Sequence, residues 1–422
     1  MPAAPSGLER ALRAPGASPS NPVAPTYGAL LRVKGFPGLV VSQLLGRMAG
    51  QMLRVSLVLF VLARYHSPQL AGAATFLLLF PGLLLAPVAG ALLDRHGRTR
   101  LITLDYLVAA AAMLSIAGLS VRHLLPPALL LCICGVASLT GPLSWAGLRS
   151  MFPSMVPGHL WERANALDTS SDVLATIVGA PIGGVLVGYV GGEAALAVAG
   201  ILFALAGFSM LRVRDPSTKQ RTQGILTQAW SGLVYVLHNR SLVGLALTFI
   251  VWGLGWGVVV IAMPVLVLGR LHQGAATVGL IWGIMGAAGF VAVLMVGRLD
   301  TFGRERQMMA VSLAAMAVAA AFLPLAGSIV VVAIALVIVA AVEAPFDIAF
   351  LTLRQRRTDA GAFGRMFAIS MALNQLGSPL GSAVAGLLIA WSLSGALWVA
   401  VALVAAAAAM PLLTIPVREG PT

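Results

Sequence analysis

At 422 residues, 59% hydrophobic and only 10% charged, the chain is too apolar for a soluble globular domain. Its net charge of +13 raises nucleic acid as a partner, but the arginines are scattered through short loops between apolar runs. That spacing excludes a continuous basic patch and points to a membrane protein with basic loops on one side of a lipid bilayer.

Residues 1–36 are rich in Pro, Ala, Ser and Gly and carry Arg10, Arg13, Arg32 and Lys34. They lack a compact apolar core followed by a cleavage site, so they read as a disordered cytoplasmic tail and not as a signal peptide. Apolar runs of about 20 residues, the length needed to cross the hydrocarbon core as helix, then follow one another. The first six are 37–63, 68–92, 101–121, 124–148, 168–190 and 193–211. The second six are 241–268, 275–297, 307–326, 328–350, 366–389 and 392–413. The expected fold is therefore an all-α membrane protein of twelve transmembrane helices in two six-helix halves, 37–211 and 241–413, with a tail at 414–422.

Cys132 and Cys134, the only cysteines, share one apolar run; they read as small core residues and not as a disulfide or metal site. The connector 212–240 ends in Trp230-Ser-Gly-Leu-Val-Tyr-Val-Leu-His-Asn-Arg240, whose apolar residues recur at helical spacing, as in an interfacial helix. Loops alternate in charge: one set holds most of the Lys and Arg, and the opposite set holds only Arg64, Arg122 and Arg270. Both termini are expected in the cytoplasm. Lys34 and Lys219 are the only lysines, a bias of GC-rich genomes, and the expected location is a bacterial cytoplasmic membrane.

Two motifs repeat across the halves. Between the second and third runs lies Gly90-Ala-Leu-Leu-Asp94-Arg95-His96-Gly97-Arg98-Thr99-Arg100. Between the eighth and ninth lies Gly297-Arg298-Leu299-Asp300-Thr301-Phe302-Gly303-Arg304-Glu305-Arg306. Asp94, Gly97, Arg98 and Arg100 match Asp300, Gly303, Arg304 and Arg306 at one constant offset, while Gly90 does not keep it. Gly90 and Gly97 suit a tight turn and close helix approach, and Asp94 suits a neighbouring helix N-terminus. The second repeat is Gly179-Ala-Pro181-Ile-Gly183-Gly184 in the fifth run and Gly377-Ser-Pro379-Leu-Gly381-Ser382 in the eleventh, extended by Gly188 and Gly386. Small residues let helices approach in lipid, and the prolines loosen the backbone ladder.

The duplicated Asp-x-x-Gly-Arg hairpin resembles the loop between helices 2 and 3 of the major facilitator superfamily and its weaker copy between helices 8 and 9. In that family the loop is gating structure. The connector and Arg163-Ala-Asn-Ala-Leu167, just before the fifth run, resemble the siderophore (enterobactin) exporter and macrolide-efflux branch. The Gly179–Gly184 segment is similar to the antiporter signature of exporters, with its proline one position late. The resemblance implies that helices 1, 4, 7 and 10 line a central cavity.

No phosphate-binding Gly-rich loop, no His-Glu-x-x-His motif and no lysine placed for an ATPase is present, so neither an enzyme, a metal, a cofactor nor nucleotide-driven transport is expected. Function is sought among polar residues at membrane depth, where each charge costs about 3 kcal/mol. In the first helix Gln43, Arg47, Gln51 and Arg54 share one face. Arg47, roughly 15 Å along the helix, lies near mid-membrane; Arg54, at roughly 26 Å, reaches for the outer surface. In the tenth helix Glu343 and Asp347 stand one turn apart.

Glu343 is the expected proton carrier, with Asp347 in support. Arg47 is the expected contact for an anionic or catechol-like substrate, alternating with Glu343; a fixed structural ion pair with Glu343 or with another helix is the other possibility. Asp105 and Asp168 suit pairing with loop arginines, and Asp172 is open to either role. Trp145, Trp252 and Trp256 offer flat apolar walls or packing. The combined expectation is a monomeric, proton-coupled exporter of an amphipathic small molecule, drug-like or siderophore. An importer or uniporter of a metabolite and a non-transporting membrane sensor or scaffold remain open.

Overall fold

A computed structural model describes residues 26–213, 215, 234–296, 302–357, 370 and 373–416. Apolar segments in lipid satisfy their backbone polar groups internally, and helix is how these runs do it. A short helix, Tyr27–Leu31, lies within the stretch read as an unstructured tail. The N-terminal half comprises α1 (Phe36–Tyr65), α2 (Pro68–His96), α3 (Arg98–Val121), α4, α5 (Trp161–Tyr189) and α6 (Gly192–Met210). The C-terminal half comprises α7 (Arg240–Val265), α8 (Ala275–Val296), α9 (Glu305–Ala320), α10 (Ile329–Arg356), α11 (Gly377–Trp391) and α12 (Leu393–Thr414). Among the described residues ten helices are long and apolar enough to cross a membrane, and α9 and α11, at 16 and 15 residues, are shorter.

Local chemistry sets the ends. Ser67, Asn239, Ser328 and Ser392 each cap a helix by accepting an N–H of its first turn. α4 is broken into Pro127–Ser138 and Gly141–Met155, where Gly141-Pro142 interrupts the ladder. α7 ends at Pro264 in a widened turn, Leu266–Arg270. α5 begins at Trp161, so Arg163–Leu167 lie inside it and not before it. Of the connector, Val234–His238 is helical, and Trp230 falls outside the described residues.

The charged hairpin differs from its expectation in two ways. Asp94 and Arg95 belong to the last turn of α2, and the turn itself is one residue, Gly97, at φ +93°. Gly90 makes no close approach, since a Cβ there would meet nothing within 4 Å. At the N-terminus of α3 the Asp215 carboxylate accepts from the Arg98 N–H at 2.6 Å, and the Asp94 side chain lies outside the described residues. Gly303, the counterpart of Gly97, also has positive φ, at +74°. Gly297, Asp300 and their neighbours lie outside the described residues.

The glycine repeat builds the molecule's two-fold plan. Gly179 and Gly183 of α5 press on the Met48 and Met52 carbonyls of α1; Gly377 and Gly381 of α11 press likewise on the Ile250 and Leu254 carbonyls of α7. The remaining members of each repeat face the other half. Gly184 and Gly188 meet Gly279 and Ala276 of α8, while Ser382 and Gly386 meet Gly72 and Gln69 of α2. A Cβ on Gly184 would stand 2.6 Å from Gly279, so only backbone-to-backbone packing fits this seam. Pro181 is inside α5 and rests against Gly283, but Pro379 sits in the first turn of α11, where it breaks no ladder. These seams between halves lie toward the face opposite the termini, called here the far face.

Candidate functional site

The N-terminal half buries a polar network on the face of α1 that carries the four-residue stripe. Gln43 and Arg47 converge on α5. The Arg47 guanidinium pairs with Asp168 at 2.8 Å, donates to the Asp168 carbonyl and to Ser171 Oγ, and stands 3.6 Å from Asp172. Gln43 donates to Asp168 and Ser171. Arg47 and Asp168 are only 17% and 19% exposed, whereas Asp172 is 62% exposed. Gln51 donates to Thr176 Oγ1 at 2.8 Å. This arrangement corrects two expectations. Asp168 pairs with a helix arginine and not a loop arginine, and Arg47 is engaged within its own half and makes no ion pair with Glu343. Asp105 is buried and faces Ser144 and Thr140, at the break in α4, again without a loop arginine.

Arg54 does not reach for the surface. It makes no hydrogen bond or ion pair among the described residues, and it lines four neighbouring cavities near the central axis. The physical reason is helix length: α1 spans 30 residues, about 45 Å, well beyond the ~30 Å of a hydrocarbon core. Eleven further residues of helix lie between Arg54 and the far end at Tyr65.

The C-terminal half supplies aromatic rings and acid. Trp252 and Trp256 lie parallel with centroids 6.2 Å apart, and Trp282 of α8 stands edge-on to Trp256 at 5.8 Å and 86°. Phe249, Phe346 and Phe350 extend the cluster, and the Arg354 guanidinium stacks over Phe350 at 4.3 Å. Glu343 and Asp347 make no hydrogen bond or ion pair among the described residues. Nearer the termini, Arg356 pairs with Glu305 and covers Phe302 at 4.7 Å.

Between the halves these walls enclose a cavity of about 300 Å³ reached by Gln51, Arg54, Thr176, Trp256, Trp282 and Glu343. A second space of about 240 Å³ continues past Trp252 to Gln375 and Ser378. A third, about 410 Å³, lies within the N-terminal half, against Arg47, Asp105, Trp145, Arg149 and Asp172. Arg149 stacks on Trp145 at 5.3 Å. Of the expected site residues, Gln51, Arg54, Trp256 and Glu343 thus meet in one cavity, Trp145 and Trp252 line its neighbours, and Gln43 and Arg47 are held in the α1–α5 network. Trp282 and Thr176 escape sequence reading because nothing in an apolar run marks which face meets a cavity. Cys134 is buried but Cys132 is exposed on the outside of α4, so the pair is not a core pair.

Two segments of the chain, 39–299 and 245–422, match the model of the Major Facilitator Superfamily. The uncharacterized MFS-type transporter y4rN of Sinorhizobium fredii (strain NBRC 101917 / NGR234) is 37% identical over 394 residues, covering 93% of this chain and 97% of the relative. The multidrug efflux pump Tap of Mycobacterium tuberculosis (strain ATCC 25618 / H37Rv) is 24% identical over 354 residues, covering 79% and 82%. The fold is similar to the nucleoside transporter NupG, with a TM-score of 0.74 at 11% identity over 90% of this chain and 99% of that one. It is also similar to the POT family transporter PepTSo, with a TM-score of 0.72 at 11% identity over 90% and 97%. The twelve-helix, two-half architecture and the match along its length agree: the chain belongs to the major facilitator superfamily.

Proposed function

We propose that this transporter exports an amphipathic small molecule in exchange for protons, by alternating access across a bacterial cytoplasmic membrane with both termini inside. The observation that carries the reading is the pair Glu343 and Asp347, two carboxylic acids at membrane depth with no cationic partner among the described residues, one of them on the wall of the space between the halves. Such an acid is costly unless it carries a proton or meets a ligand. A basic ligand and a proton compete for one carboxylate, so binding either favours release of the other, which is the exchange an antiporter needs.

Alternation of Arg47 between substrate and Glu343 is not part of this scheme, because Arg47 is held by Asp168. The sign of that scheme also runs the wrong way. An anion drawing an arginine off Glu343 would favour proton uptake together with substrate, which is symport. That sign supports a second reading: an importer whose substrate is a plain anion received at Arg54. The name of the efflux pump Tap and the segments resembling the siderophore and macrolide exporters favour outward transport.

The seams near the far face suit a state closed there and parted toward the termini, as the exposure of Asp172 also suggests. The single-residue turns at Gly97 and Gly303, with Asp94, Arg95, Arg98 and Arg304 around them, are the proposed gating elements, together with Asp300. The test is gradient-driven efflux of ethidium from proteoliposomes holding the wild type or Glu343→Gln. The variant is expected to lose gradient-driven efflux, with any residual exchange of the dye indifferent to the pH gradient. Undiminished gradient-driven transport by the variant, or a wild type indifferent to the gradient, overturns the proposal.

A further inference from the structure

The cavity between the halves presents both signs of charge, and neither is paired among the described residues. Arg54 enters it from α1 and Glu343 from α10. They stand farther apart than the 4.0 Å of an ion pair, so the space between them is left for something else. On the Arg54 side, Gln51 and Thr176 are spent on each other at 2.8 Å, and Asp172 stands beside Arg47. On the Glu343 side, the other charged group is Asp347, of the same sign. The surfaces of α7 and α8 that complete the cavity carry Trp256 and Trp282, which stand perpendicular and form a corner for a flat ring.

Filling this space with a ligand expels water, and every charge left without a complement then becomes costly. A plain cation would answer Glu343 and leave Arg54 facing a like charge. A plain anion would answer Arg54 and face Glu343, with Asp347 one turn along the same helix. Protonating Glu343 relieves the second case but leaves that acid without a ligand to complete it; nothing in the cavity relieves the first, because arginine keeps its charge. A ligand carrying both charges at its two ends completes both.

We propose that the substrate is a zwitterionic, ring-bearing molecule. Its acidic group is received by Arg54, its basic group by Glu343, and its flat apolar part by the corner between Trp256 and Trp282. The inference rests on reading this cavity as the substrate site and is otherwise independent of the direction of transport. The basic group is the part that competes with the proton. The acidic group fixes orientation and admits the molecule without a charge penalty at Arg54.

Equilibrium binding to the purified full-length protein in detergent, at fixed pH and without any gradient, tests it with three probes of one ring: tryptophan, tryptamine and indole-3-propionate. Wild type is expected to bind tryptophan roughly tenfold or more tightly than either singly charged relative. Arg54→Gln is expected to weaken tryptophan to the level of tryptamine while leaving tryptamine unchanged or tighter. Glu343→Gln is expected to weaken it to the level of indole-3-propionate. Arg54→Lys, which keeps the charge, retains the preference and guards against a folding artefact, with size-exclusion profiles confirming intact protein. Equal binding of the three probes, no binding of tryptophan at millimolar concentration, or an unchanged preference in folded Arg54→Gln overturns the proposal. The readout needs no gradient, so loss of proton coupling in proteoliposomes with this preference intact would sink the exporter reading alone, and the reverse result would sink the substrate assignment alone.

Discussion

On the wall of the N-terminal half stand Gln43, Arg47, Gln51 and Arg54; at the matching positions of α7, fixed by the carbonyls that receive Gly179 and Gly377, stand Leu245, Phe249, Gly253 and Trp256. Glycine seams preserve one plan in both halves, while the side chains on the cavity have diverged. In the N-terminal half the charge between α1 and α5 is paired: Arg47 meets Asp168 and Asp172, and the Gln43 amide N–H and Ser171 join the same network. In the C-terminal half two acids, Glu343 and Asp347, have no partner among the described residues and stand beside an aromatic wall. A satisfied network rigidifies, and an unsatisfied acid waits for a proton or a ligand. The difference assigns structure to one half and chemistry to the other, with Arg54 the exception that faces across.

The glycine plan is where substitution costs most. A Cβ on Gly381 would lie 2.0 Å from the Leu254 carbonyl oxygen, within one half, so Gly381→Leu is expected to exceed the ~1–3 kcal/mol typical of overpacking and to yield little folded protein in a thermal-unfolding assay. Gly184→Leu strains a seam between halves. It is expected to fold but to hold the far face apart, read as faster labelling of a cysteine placed in the central cavity by an impermeant reagent added from the far side. Equal folding loss in both variants would erase the distinction between seams within a half and seams between halves.

Next in size is the N-terminal ion pair. Arg47→Gln strands Asp168 in a site only about one-fifth exposed and is expected to cost about 3 kcal/mol of stability. Arg47→Gln combined with Asp168→Asn should recover most of that loss, because no buried charge remains unpaired. A double variant no more stable than the single one would show that the pair is not the unit of stability.

The smallest effect has the opposite sign. Glu343→Gln removes an acid that nothing neutralises and is expected to raise the unfolding temperature slightly, by the equivalent of about 1 kcal/mol, while abolishing coupling. Destabilisation comparable to that of Arg47→Gln would instead mark Glu343 as a structural residue, and the contrast between halves would fail.

Much of the fold was legible because lipid leaves apolar segments few options: run length, the alternation of loop charge and two internal repeats already imply twelve helices in two halves. Gly179–Gly184 and Gly377–Ser382 were readable as packing motifs, and the structure adds which neighbour each glycine touches. The site was legible residue by residue but not as a constellation. The α1 stripe correctly placed four polar residues on one face, yet only the spatial neighbours decide that Arg47 is spent on Asp168 and Arg54 is not. Arg54 was placed at the outer surface because a span was assumed to be as long as the bilayer is thick, and α1 is longer. Trp282 carries no mark in sequence, since an aromatic residue facing a cavity and one facing lipid look alike in an apolar run.

The central claim, that the carboxylates of α10 exchange a proton for a ligand, is tested most directly by counting protons on binding. Tryptamine at saturating concentration is added to the purified transporter in weakly buffered detergent solution, and pH is recorded. The account predicts proton release on binding by wild type and by Arg47→Gln/Asp168→Asn, and none by Glu343→Gln/Asp347→Asn. Release undiminished in the α10 variant, or absent from wild type that has bound the amine, would contradict it.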